Sequence, residues 1–424
     1  MIQSEIRKNL KYNIFANLMD GGFFGFAVGI ASFVTVIPLF VSTMTDSAVL
    51  IGLIPAIHSV GWQLPQVLMA QGVARQRVYK PLMLRMSIHE RLPFIGLALI
   101  AWFLPQIGLK WGLVLTYIML IWQGLGGGLS ATAWQAMIGK IIPPDWVGTF
   151  YGMQSAFNNL LGSIGATIAG LILSSMESPQ DFALCFAIAA ASLLFSFYWL
   201  STTREPARAP EDVPPPQPNF WAGLGAILRR DGNFRWFLTV RCLTQVAIIG
   251  LSFYTVYAVQ DHGVDELQVG VFTSLLLAVQ IVANPIMGWL GDRWSHRGMM
   301  GVGIVCATVS AVLAWLAPSP GWFYPVFILA GIANIANWTM SLAMTLEFGT
   351  EADRPAYIAM ANSLVAPATI LAPFLGGLLA DAAGYRATFI ASAIGGLITL
   401  LVLQIFVRDP RTLTARPAPA PAAD

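Results

Sequence analysis

The stretch Gly288-Trp-Leu-Gly-Asp292-Arg293-Trp-Ser-His-Arg297-Gly298 is a charged turn between two apolar runs, 269–286 and 299–316. About 20 apolar residues cross a bilayer as a helix, so the turn lies where a hydrophobic hairpin emerges into water. Asp292 can either cap a helix N-terminus or pair with an arginine of a neighbouring helix. We predict that the turn gates a conformational change, and the gating residues are Gly288, Asp292, Arg293 and Arg297. For the arginines the alternative is a role as positive anchors at the inner membrane surface.

The composition indicates a membrane protein. Of the 424 residues 56% are hydrophobic and only 10% are charged, whereas about a quarter of the residues of a soluble globular domain are charged. The net charge of +2 is too small to indicate a nucleic acid as partner. We therefore expect the lipid bilayer to be the main surrounding of this chain.

Twelve apolar segments are long enough to cross the bilayer, which predicts an all-α membrane protein. The predicted spans are 18–41, 48–71, 81–104, 111–139, 147–174, 182–201, 235–259, 267–290, 299–317, 322–346, 356–380 and 386–407. They give two six-helix bundles, 18–201 and 235–407, joined by a proline-rich linker, 202–234. The segment 1–17 precedes the first bundle. The linker is expected to be extended or disordered and the tail, 408–424, to be disordered.

The positive charges predict the orientation. Most of the 23 lysines and arginines fall in the N-terminal segment, the linker, the tail and the loops on their side of the membrane. Only Lys110 and Arg386 fall on the opposite side. The positive-inside rule therefore predicts cytoplasmic termini in the plasma (cytoplasmic) membrane.

The two halves resemble each other along the sequence. Adding 218 to the numbers carries the segment from Ala70 to Arg75 onto the segment from Gly288 to Arg293. Ala74 then stands where the second copy has Asp292, so a gating role of the first copy is in doubt.

The turn resembles the signature of the major facilitator superfamily between its second and third helices, repeated more weakly between its eighth and ninth. The resemblance rests on Gly288, Leu290, Gly291, Asp292 and Arg293, with Ser295 in place of a glycine and His296 and Arg297 as the basic pair. It implies two pseudo-symmetric six-helix bundles, alternating access and a central site between the bundles. In that family the first, fourth, seventh and tenth spans line the site.

Polar faces on these spans supply the candidate substrate-binding residues. The face on the fourth span includes Gln123, Ser130 and Trp134, and adding 207 maps it onto a face of the tenth span. The predicted substrate-binding residues are Gln123, Ser130, Trp134, Arg241, Gln245, Tyr254, Asn334, Asn337 and Ser341. Arg241 can instead extend to the cytoplasmic edge, which is the favoured interpretation, or form an ion pair. For each polar residue alone, hydrogen bonding between helices is an equal alternative.

Ion coupling requires a group that changes charge inside the membrane, and the candidates are Asp20, His58 and Glu90. Each also has a structural interpretation: Asp20 at a membrane interface, His58 in packing, and Glu90 pointing about 100° away from Arg91 on the same helix without pairing. No metal-ligand cluster, phosphate-binding loop or nucleophilic triad is present in the sequence. We predict no enzyme activity, no cofactor and no bound metal.

The sequence thus predicts a monomeric secondary transporter of a small organic solute, coupled to protons or sodium if to any ion. A neutral or amphiphilic solute suits the amides, hydroxyls and aromatic rings of the predicted site. Two alternatives stay open: efflux of drugs or other amphiphiles by the same fold, and a non-transporting sensor or assembly factor.

Overall fold

The computed structural model describes residues 2–213 and 220–414, and these residues form helices without β-strands. Ten helical segments are long and apolar enough to cross a membrane. Two further helical segments, between residues 48 and 102, complete a set of twelve. The predicted all-α fold with twelve membrane helices is confirmed.

The twelve spans are numbered in chain order. They are Ile2–Ile30 with Val36–Ser42 (span 1), Ala48–Gln63 with Gln66–Ala74 (span 2), Lys80–Trp102 (span 3), Leu109–Ile141 (span 4), Val147–Ser175 (span 5), Gln180–Thr202 (span 6), Gly232–Ala247 with Tyr254–His262 (span 7), Glu266–Arg293 (span 8), His296–Leu316 (span 9), Phe323–Ile335 with Ser341–Thr345 (span 10), Arg354–Ser363 with Ala366–Ala383 (span 11) and Tyr385–Phe406 (span 12). Span 1 is helical from Ile2, well before the predicted start at 18, because the polar segment 1–17 continues the same helix.

Spans 2 and 3 are the least regular by composition. Span 2 is divided next to Pro65, which has no backbone N–H to donate to the preceding turn. Span 3 contains Lys80, Arg85, Glu90 and Arg91. Charged residues inside a membrane helix are costly unless they face a partner or a water-filled cavity. Of these residues Glu90 and Arg91 are buried and face the interior of the first half, whereas Arg85 is exposed.

The two halves meet mainly at the end that carries the linker between spans 6 and 7, here called the linker end. There the second helix of span 2 packs against the first helix of span 11, and span 5 packs against span 8. Asn362 Nδ2 donates a hydrogen bond to Gln66 Oε1 at 2.8 Å, and Ser363 Oγ donates to the carbonyl oxygen of Gln63 at 2.8 Å. The hydrogen bonds that join the halves, among the described residues, lie at this end or near the middle of the spans.

The start of the linker is packed, which corrects the expectation that it is extended or disordered. Glu205 accepts hydrogen bonds from the backbone N–H groups of Tyr79 and Lys80, both at 2.8 Å, and its Oε1 lies 2.8 Å from Lys140 Nζ. The carboxylate thereby caps the N-terminus of span 3 and neutralises a buried lysine. Further along, Phe220–Arg230 forms a helix. Residues 214–219 lie outside the described residues.

The expectation of a disordered tail is wrong at its beginning. Pro410–Thr414 forms a short helix, and Arg411 Nη1 donates to the carbonyl oxygens of Gly291 and Asp292 at 3.1 and 2.8 Å. These carbonyls end span 8 and have no partner within that helix, so the arginine supplies one. Residues 415–424 lie outside the described residues. The boundaries of the two bundles as separate domains stay a prediction.

Glycines bring helix backbones into direct contact. A methyl group added at Gly29 in span 1 would lie 2.0 Å from the carbonyl oxygen of Gly162 in span 5. One added at Gly165 would lie 2.4 Å from the carbonyl oxygen of Phe26. Small residues at such crossings are how membrane helices approach closely enough for dispersion contacts to hold them together.

This contact predicts opposite effects for two glycines of one helix. Gly165→Ala should lower the thermal unfolding midpoint, with a cost of about 1–3 kcal/mol, because the added methyl group meets backbone atoms that must move. Gly170→Ala is the matched control, since nothing lies within 4 Å of its added methyl group. The control should be neutral or slightly stabilising, as alanine is about 1 kcal/mol better than glycine in a helix. Equal midpoints for the two variants would contradict the tight crossing of spans 1 and 5.

Candidate functional site

A cavity of about 500 Å³ lies between the two halves, near the middle of the spans. Spans 1 to 6 contribute most of its lining, and spans 8 and 10 contribute the rest. Its polar lining residues are Asp20, His58, Ser59, Gln63, Ser87, Glu90, Arg91, Ser130, Gln154, Ser155, Asn158, Asn159, Gln280, Asn284, Asn334 and Thr339, and its tryptophans are Trp62, Trp134 and Trp338. The charged groups all come from the first half, so the cavity is chemically asymmetric although the fold is a repeat.

The charges form one buried cluster on spans 1 and 3. Arg91 Nη2 lies 3.2 Å from Asp20 Oδ1 and donates to Ser196 Oγ at 3.1 Å, while that hydroxyl donates to Asp20 at 2.6 Å. Arg91 Nη1 also contacts the Ser87 hydroxyl. A single guanidinium therefore holds Asp20 through both a direct and a hydroxyl-bridged contact. Such pairing is what makes buried charge tolerable in a membrane.

Glu90 completes this cluster. Its Oε2 lies 3.7 Å from Arg91 Nη1 and accepts a hydrogen bond from Ser130 Oγ at 3.3 Å. The expectation that adjacent Glu90 and Arg91 do not pair is wrong, because their long side chains bend toward the same space. The interpretation that Asp20 lies at a membrane interface is also wrong, since it lies deep within Ile2–Ile30 and pairs with Arg91. With both carboxylates ionised, the cluster has a net charge of −1.

His58 lines the cavity, and its ring is fixed by residues on the side away from the cavity. Its Nδ1 lies 3.0 Å from Gln123 Oε1, and its ring stacks on Phe33 with centroids 4.0 Å apart. Because an amide oxygen only accepts, Nδ1 is the donor, which leaves Nε2 as the acceptor. Gln123, predicted to bind substrate, therefore lies behind the cavity wall and fixes the orientation of the imidazole ring.

Two tryptophans from opposite halves meet across the cavity. The rings of Trp62 on span 2 and Trp338 on span 10 are 6.2 Å apart and nearly perpendicular. Trp338 lies in a five-residue π-helical turn, Ala336–Met340, that interrupts span 10. Such turns change the direction of side chains within a helix and are frequent at functional sites. The turn allows Asn334 and Trp338 to line the main cavity while Asn337 lines a second pocket.

The second pocket is narrow and lies behind the tryptophan pair. Arg241, Gln245, Asn337 and Asn362 line it, together with Trp62 and Trp338, which also line the main cavity. Gln245 Nε2 donates to Asn337 Oδ1 at 2.9 Å, and Arg241 Nη1 donates to the carbonyl oxygen of Ala361 at 2.7 Å. Arg241 is 7% exposed, so the favoured interpretation, extension to the membrane edge, is wrong.

Amides from spans 5, 8 and 10 join the halves beneath the cavity. Asn159 Nδ2 donates to Gln280 Oε1 at 3.1 Å, and Thr339 Oγ1 donates to Asn284 Oδ1 at 2.7 Å. Ser155 and Thr339 hydroxyls are 3.1 Å apart. The Asn159–Gln280 and Ser155–Thr339 contacts cross between the halves, whereas the Thr339–Asn284 bond joins spans 10 and 8 within the second half.

The structure brings only part of the predicted site together. Ser130, Trp134 and Asn334 line the main cavity, as do Asp20, His58 and Glu90. Tyr254 is buried among aromatic rings near Phe327 and accepts a hydrogen bond from Ser310 at 2.8 Å, and Ser341 bonds to the carbonyl oxygen of Ala336 at 3.2 Å. Neither residue lines either pocket.

Sequence reasoning missed the contributions of spans 5 and 8 and, on span 2, named only His58. It searched for substrate contacts only on the four spans that the family resemblance named, whereas Trp62, Asn158, Asn159, Gln280 and Asn284 belong to other spans. The adjacent asparagines and the pair Gln280 and Asn284, four residues apart on one helix face, were a usable signal. Polar amides inside apolar spans mark either helix contacts or a cavity.

The turn between spans 8 and 9 closes the linker end. Asp292 Oδ1 and Oδ2 accept hydrogen bonds from the backbone N–H groups of Gly148 and Thr149 at 2.7 and 2.6 Å. The carboxylate thus caps the N-terminus of span 5 in the opposite half, while Ser295 caps span 9. A methyl group added at Gly288 would lie 2.1 Å from the carbonyl oxygen of Gly148, so glycine permits this approach.

Basic groups surround this contact. His296 Nε2 lies 3.4 Å from Asp292 Oδ1, and its Nδ1 lies 2.6 Å from Glu347 Oε1. Arg411 Nε lies 2.5 Å from the same Glu347 oxygen, which connects the C-terminal helix to the turn. The guanidinium of Arg293 instead lies 4.1 Å from the ring of Trp289, and Arg297 donates to Gln404 Oε1 at 2.9 Å. The basic partners around Asp292 are therefore His296 and Arg411, and both predicted arginines point elsewhere.

The first half closes in a different way, because it has Ala74 where the second half has Asp292. Arg208 of the linker crosses to the second half, with its Nε 2.7 Å from Glu351 Oε1 and its Nη2 2.7 Å from the Glu351 carbonyl oxygen. Its Nη1 donates to the carbonyl oxygen of Ala74 at 3.5 Å. Arg354 Nη1 donates to the carbonyl oxygen of Gly139 at 2.7 Å. Linker and loop charges thus join the halves where the turn has lost its acid.

Comparisons with known proteins agree with this architecture. A probable vesicular acetylcholine transporter-B of Danio rerio is 24% identical over 199 residues, 43% of this chain and 40% of that protein. The class H tetracycline resistance protein of Pasteurella multocida is 26% identical over 140 residues, 33% of this chain and 34% of that protein. The chain therefore matches less than half the length of these relatives. The E. coli fucose:proton symporter FucP superposes with a TM-score of 0.73 at 16% identity, over 94% of this chain and 99% of that one, which supports the fold alone.

The family follows from a match over most of the chain. The sequence profile of the Major Facilitator Superfamily matches residues 80–260 and 247–424. Twelve membrane helices and a charged turn between spans 8 and 9 accompany that match. The chain belongs to the major facilitator superfamily.

Proposed function

We propose that this protein is a secondary transporter that moves a small amphiphilic organic solute by alternating access. The observation that carries the proposal is a cavity near mid-membrane that both halves line, together with closure of the linker end by Asp292. A site of this kind is exposed to one side at a time when the two halves rock about it.

The orientation of the chain in the membrane makes the conformation of this structure the outward-facing state. The lysines and arginines are concentrated at the linker end, which the positive-inside rule assigns to the cytoplasm. Inter-half contacts concentrate at that end in the described part of the chain. The opposite end then gives the cavity its access from outside.

Ser130, Trp134 and Asn334 are the proposed direct contacts with the solute. Their hydroxyl, indole and amide groups combine apolar surface with hydrogen-bonding groups, as small-molecule sites commonly do. Four other predicted residues lie behind these contacts. Gln123 fixes the ring of His58, and the pocket of Gln245, Asn337 and Arg241 supports the wall formed by Trp62 and Trp338.

The carboxylates are the proposed coupling groups. Asp20 and Glu90 share one guanidinium, so uptake or release of a proton changes the charge of the cavity by a full unit. His58 faces the same space. The direction of net transport, uptake or efflux, follows from how the solute and ion gradients are linked. Both directions stay open, because the similar proteins include one named a symporter and one named a resistance protein.

Closure by Asp292 predicts a conformational shift. Asp292→Ala removes two hydrogen bonds to a charged acceptor, each worth about 1.5–3 kcal/mol, and should favour the state that is open at the linker end. The measurement is the distance between spin labels at Lys110→Cys and Ser319→Cys, both exposed at the opposite end, after alanine replaces Cys185, Cys242 and Cys306. This distance should shorten in the variant as the opposite end closes.

The control for this shift is Asp145→Asn, an exposed acid in the turn just before span 5. It should leave the distance distribution unchanged. An unchanged distribution in Asp292→Ala as well would remove the gating role of the turn.

The cavity predicts a ligand whose binding depends on both halves. In a thermal-shift screen of sugars, organic anions and amphiphilic amines, a true substrate at a hundredfold excess over Kd should stabilise the protein by about 2.7 kcal/mol. Trp134→Ala combined with Asn334→Ala should abolish this stabilisation while leaving the unliganded midpoint within a few degrees.

Flux then tests transport itself. The ligand found in the screen should cross proteoliposome membranes that contain the protein, and the rate should fall in the double variant. Binding without flux would favour the non-transporting alternative.

A further inference from the structure

We propose that the solute bound in the cavity is an organic cation, an amine or quaternary ammonium compound with an apolar group. Glu90 holds the positive charge, and Trp62, Trp134 and Trp338 enclose the apolar part. The inference rests on the proposed transport function and specifies its substrate class.

The first argument is the uneven sharing of one guanidinium by two carboxylates. Asp20 has close partners in Arg91 at 3.2 Å and Ser196 at 2.6 Å. Glu90 is 3.7 Å from Arg91 and receives one hydrogen bond, from Ser130, at 3.3 Å to Oε2. Among the described residues, Oε1 of Glu90 has no such bond, although its side chain is 11% exposed and lines the cavity. Glu90 is therefore the acid with capacity for another positive partner.

The second argument is the place where this oxygen lies. A methyl group added at Gly127 would be 2.9 Å from Glu90 Oε1 and 3.2 Å from Trp62 Cδ1. The carboxylate oxygen and the edge of the indole thus border the same small space, and the glycine leaves that space free. Trp338 follows at a centroid distance of 6.2 Å from Trp62. A carboxylate attracts an ammonium group by Coulomb interaction, and the indoles that line the same cavity supply apolar surface for the rest of the solute.

The third argument is that the charge of the cavity favours a cationic solute over an anionic or a neutral one. The titratable groups facing this space are Asp20 from span 1, His58 from span 2, and Glu90 and Arg91 from span 3. Spans 4, 5, 8 and 10 contribute hydroxyls, amides and apolar groups, which cannot neutralise a carboxylate. With both carboxylates ionised, an anion would meet an excess of negative charge, and a neutral solute would leave that charge to be compensated by a proton. A cation removes the imbalance, and about 500 Å³ accommodates a molecule of drug size.

Three probes of similar shape and different charge test this class. Phenyltrimethylammonium is a cation, and benzenesulfonate is an anion. The neutral probe, 2-phenyl-2-propanol, has an uncharged carbon in place of the ammonium nitrogen and a hydroxyl in place of one methyl group. Binding to the purified full-length protein is measured by isothermal titration. The cation should bind at least tenfold more tightly than the alcohol, and the anion should bind more weakly than either.

Variants test whether Glu90 is the carboxylate that binds the positive charge of the solute. Glu90→Gln should weaken binding of phenyltrimethylammonium at least tenfold and leave 2-phenyl-2-propanol unchanged, because the amide keeps the shape and removes the charge. Asp145→Asn, an exposed acid outside the cavity, should change neither affinity. If Glu90→Gln does not fold, Gly127→Ala replaces it, since its methyl group fills the space between Glu90 and Trp62 and should also weaken cation binding.

Several results would overturn the proposal. Equal affinities for the cation and the alcohol, full cation binding by Glu90→Gln, or no binding of phenyltrimethylammonium would each exclude this substrate class. The labels at Lys110→Cys and Ser319→Cys separate this failure from that of the transporter proposal. A neutral or anionic ligand that shifts the label distance would leave alternating access in place, whereas labels that respond to no ligand and to no variant would remove it.

Discussion

The contact of the Asp292 carboxylate with two backbone amides in the first turn of span 5 is the one on which the rest of the structure depends. It joins a turn of the second half to a helix N-terminus of the first, at N–O distances of 2.7 and 2.6 Å. The positive end of a helix and two otherwise unpaired N–H groups make this a favourable position for an anion. Because Gly288 lets the backbones touch there, the halves are pressed together at the linker end and the cavity above them is left between diverging spans.

The two halves share one fold, but they differ in where their charged residues lie. The second half retains the acidic turn, whereas the first has Ala74 and relies on the linker residue Arg208 and on Arg354 to reach across. Conversely, the first half carries the charge cluster of the cavity, and the second offers amides and one tryptophan. A change of charge at Asp20 or Glu90 would therefore act within one half, which contacts the other through hydrogen bonds, the Arg208–Glu351 ion pair and close backbone packing.

The buried cluster gives this division a physical basis. When both carboxylates are ionised, a guanidinium that serves two of them leaves one negative charge over, which is costly in surroundings of low dielectric constant. The indoles of Trp62 and Trp338, one from each half, lie beside this charge and separate the cavity from the pocket of Arg241. Movement of one half against the other would separate these rings.

The linker and the tail show how far local composition can predict structure. Proline and charge in 202–234 predicted an extended segment, yet Glu205 caps span 3 and pairs with Lys140, contacts that a composition count cannot detect. In the same way, Arg411 became part of the turn around Asp292 because the chain after span 12 passes beside the turn between spans 8 and 9. Each of these partners is distant in sequence, so only the folded chain brings them together.

By itself the sequence determined that this is a membrane protein of twelve helices with a charged turn between two of them, because lipid requires long apolar helices and leaves charged residues few tolerable positions. It also identified Ser130, Trp134, Asn334, Asp20, His58 and Glu90, which line one cavity. Tertiary structure alone decided that Tyr254 and Ser341 lie elsewhere, that Gln123 lies behind His58, and that spans 5 and 8 contribute to the wall. The reason is that the rotation and depth of each helix are set by its neighbours, through glycine crossings and the π-helical turn of span 10, and a periodic pattern fixes neither.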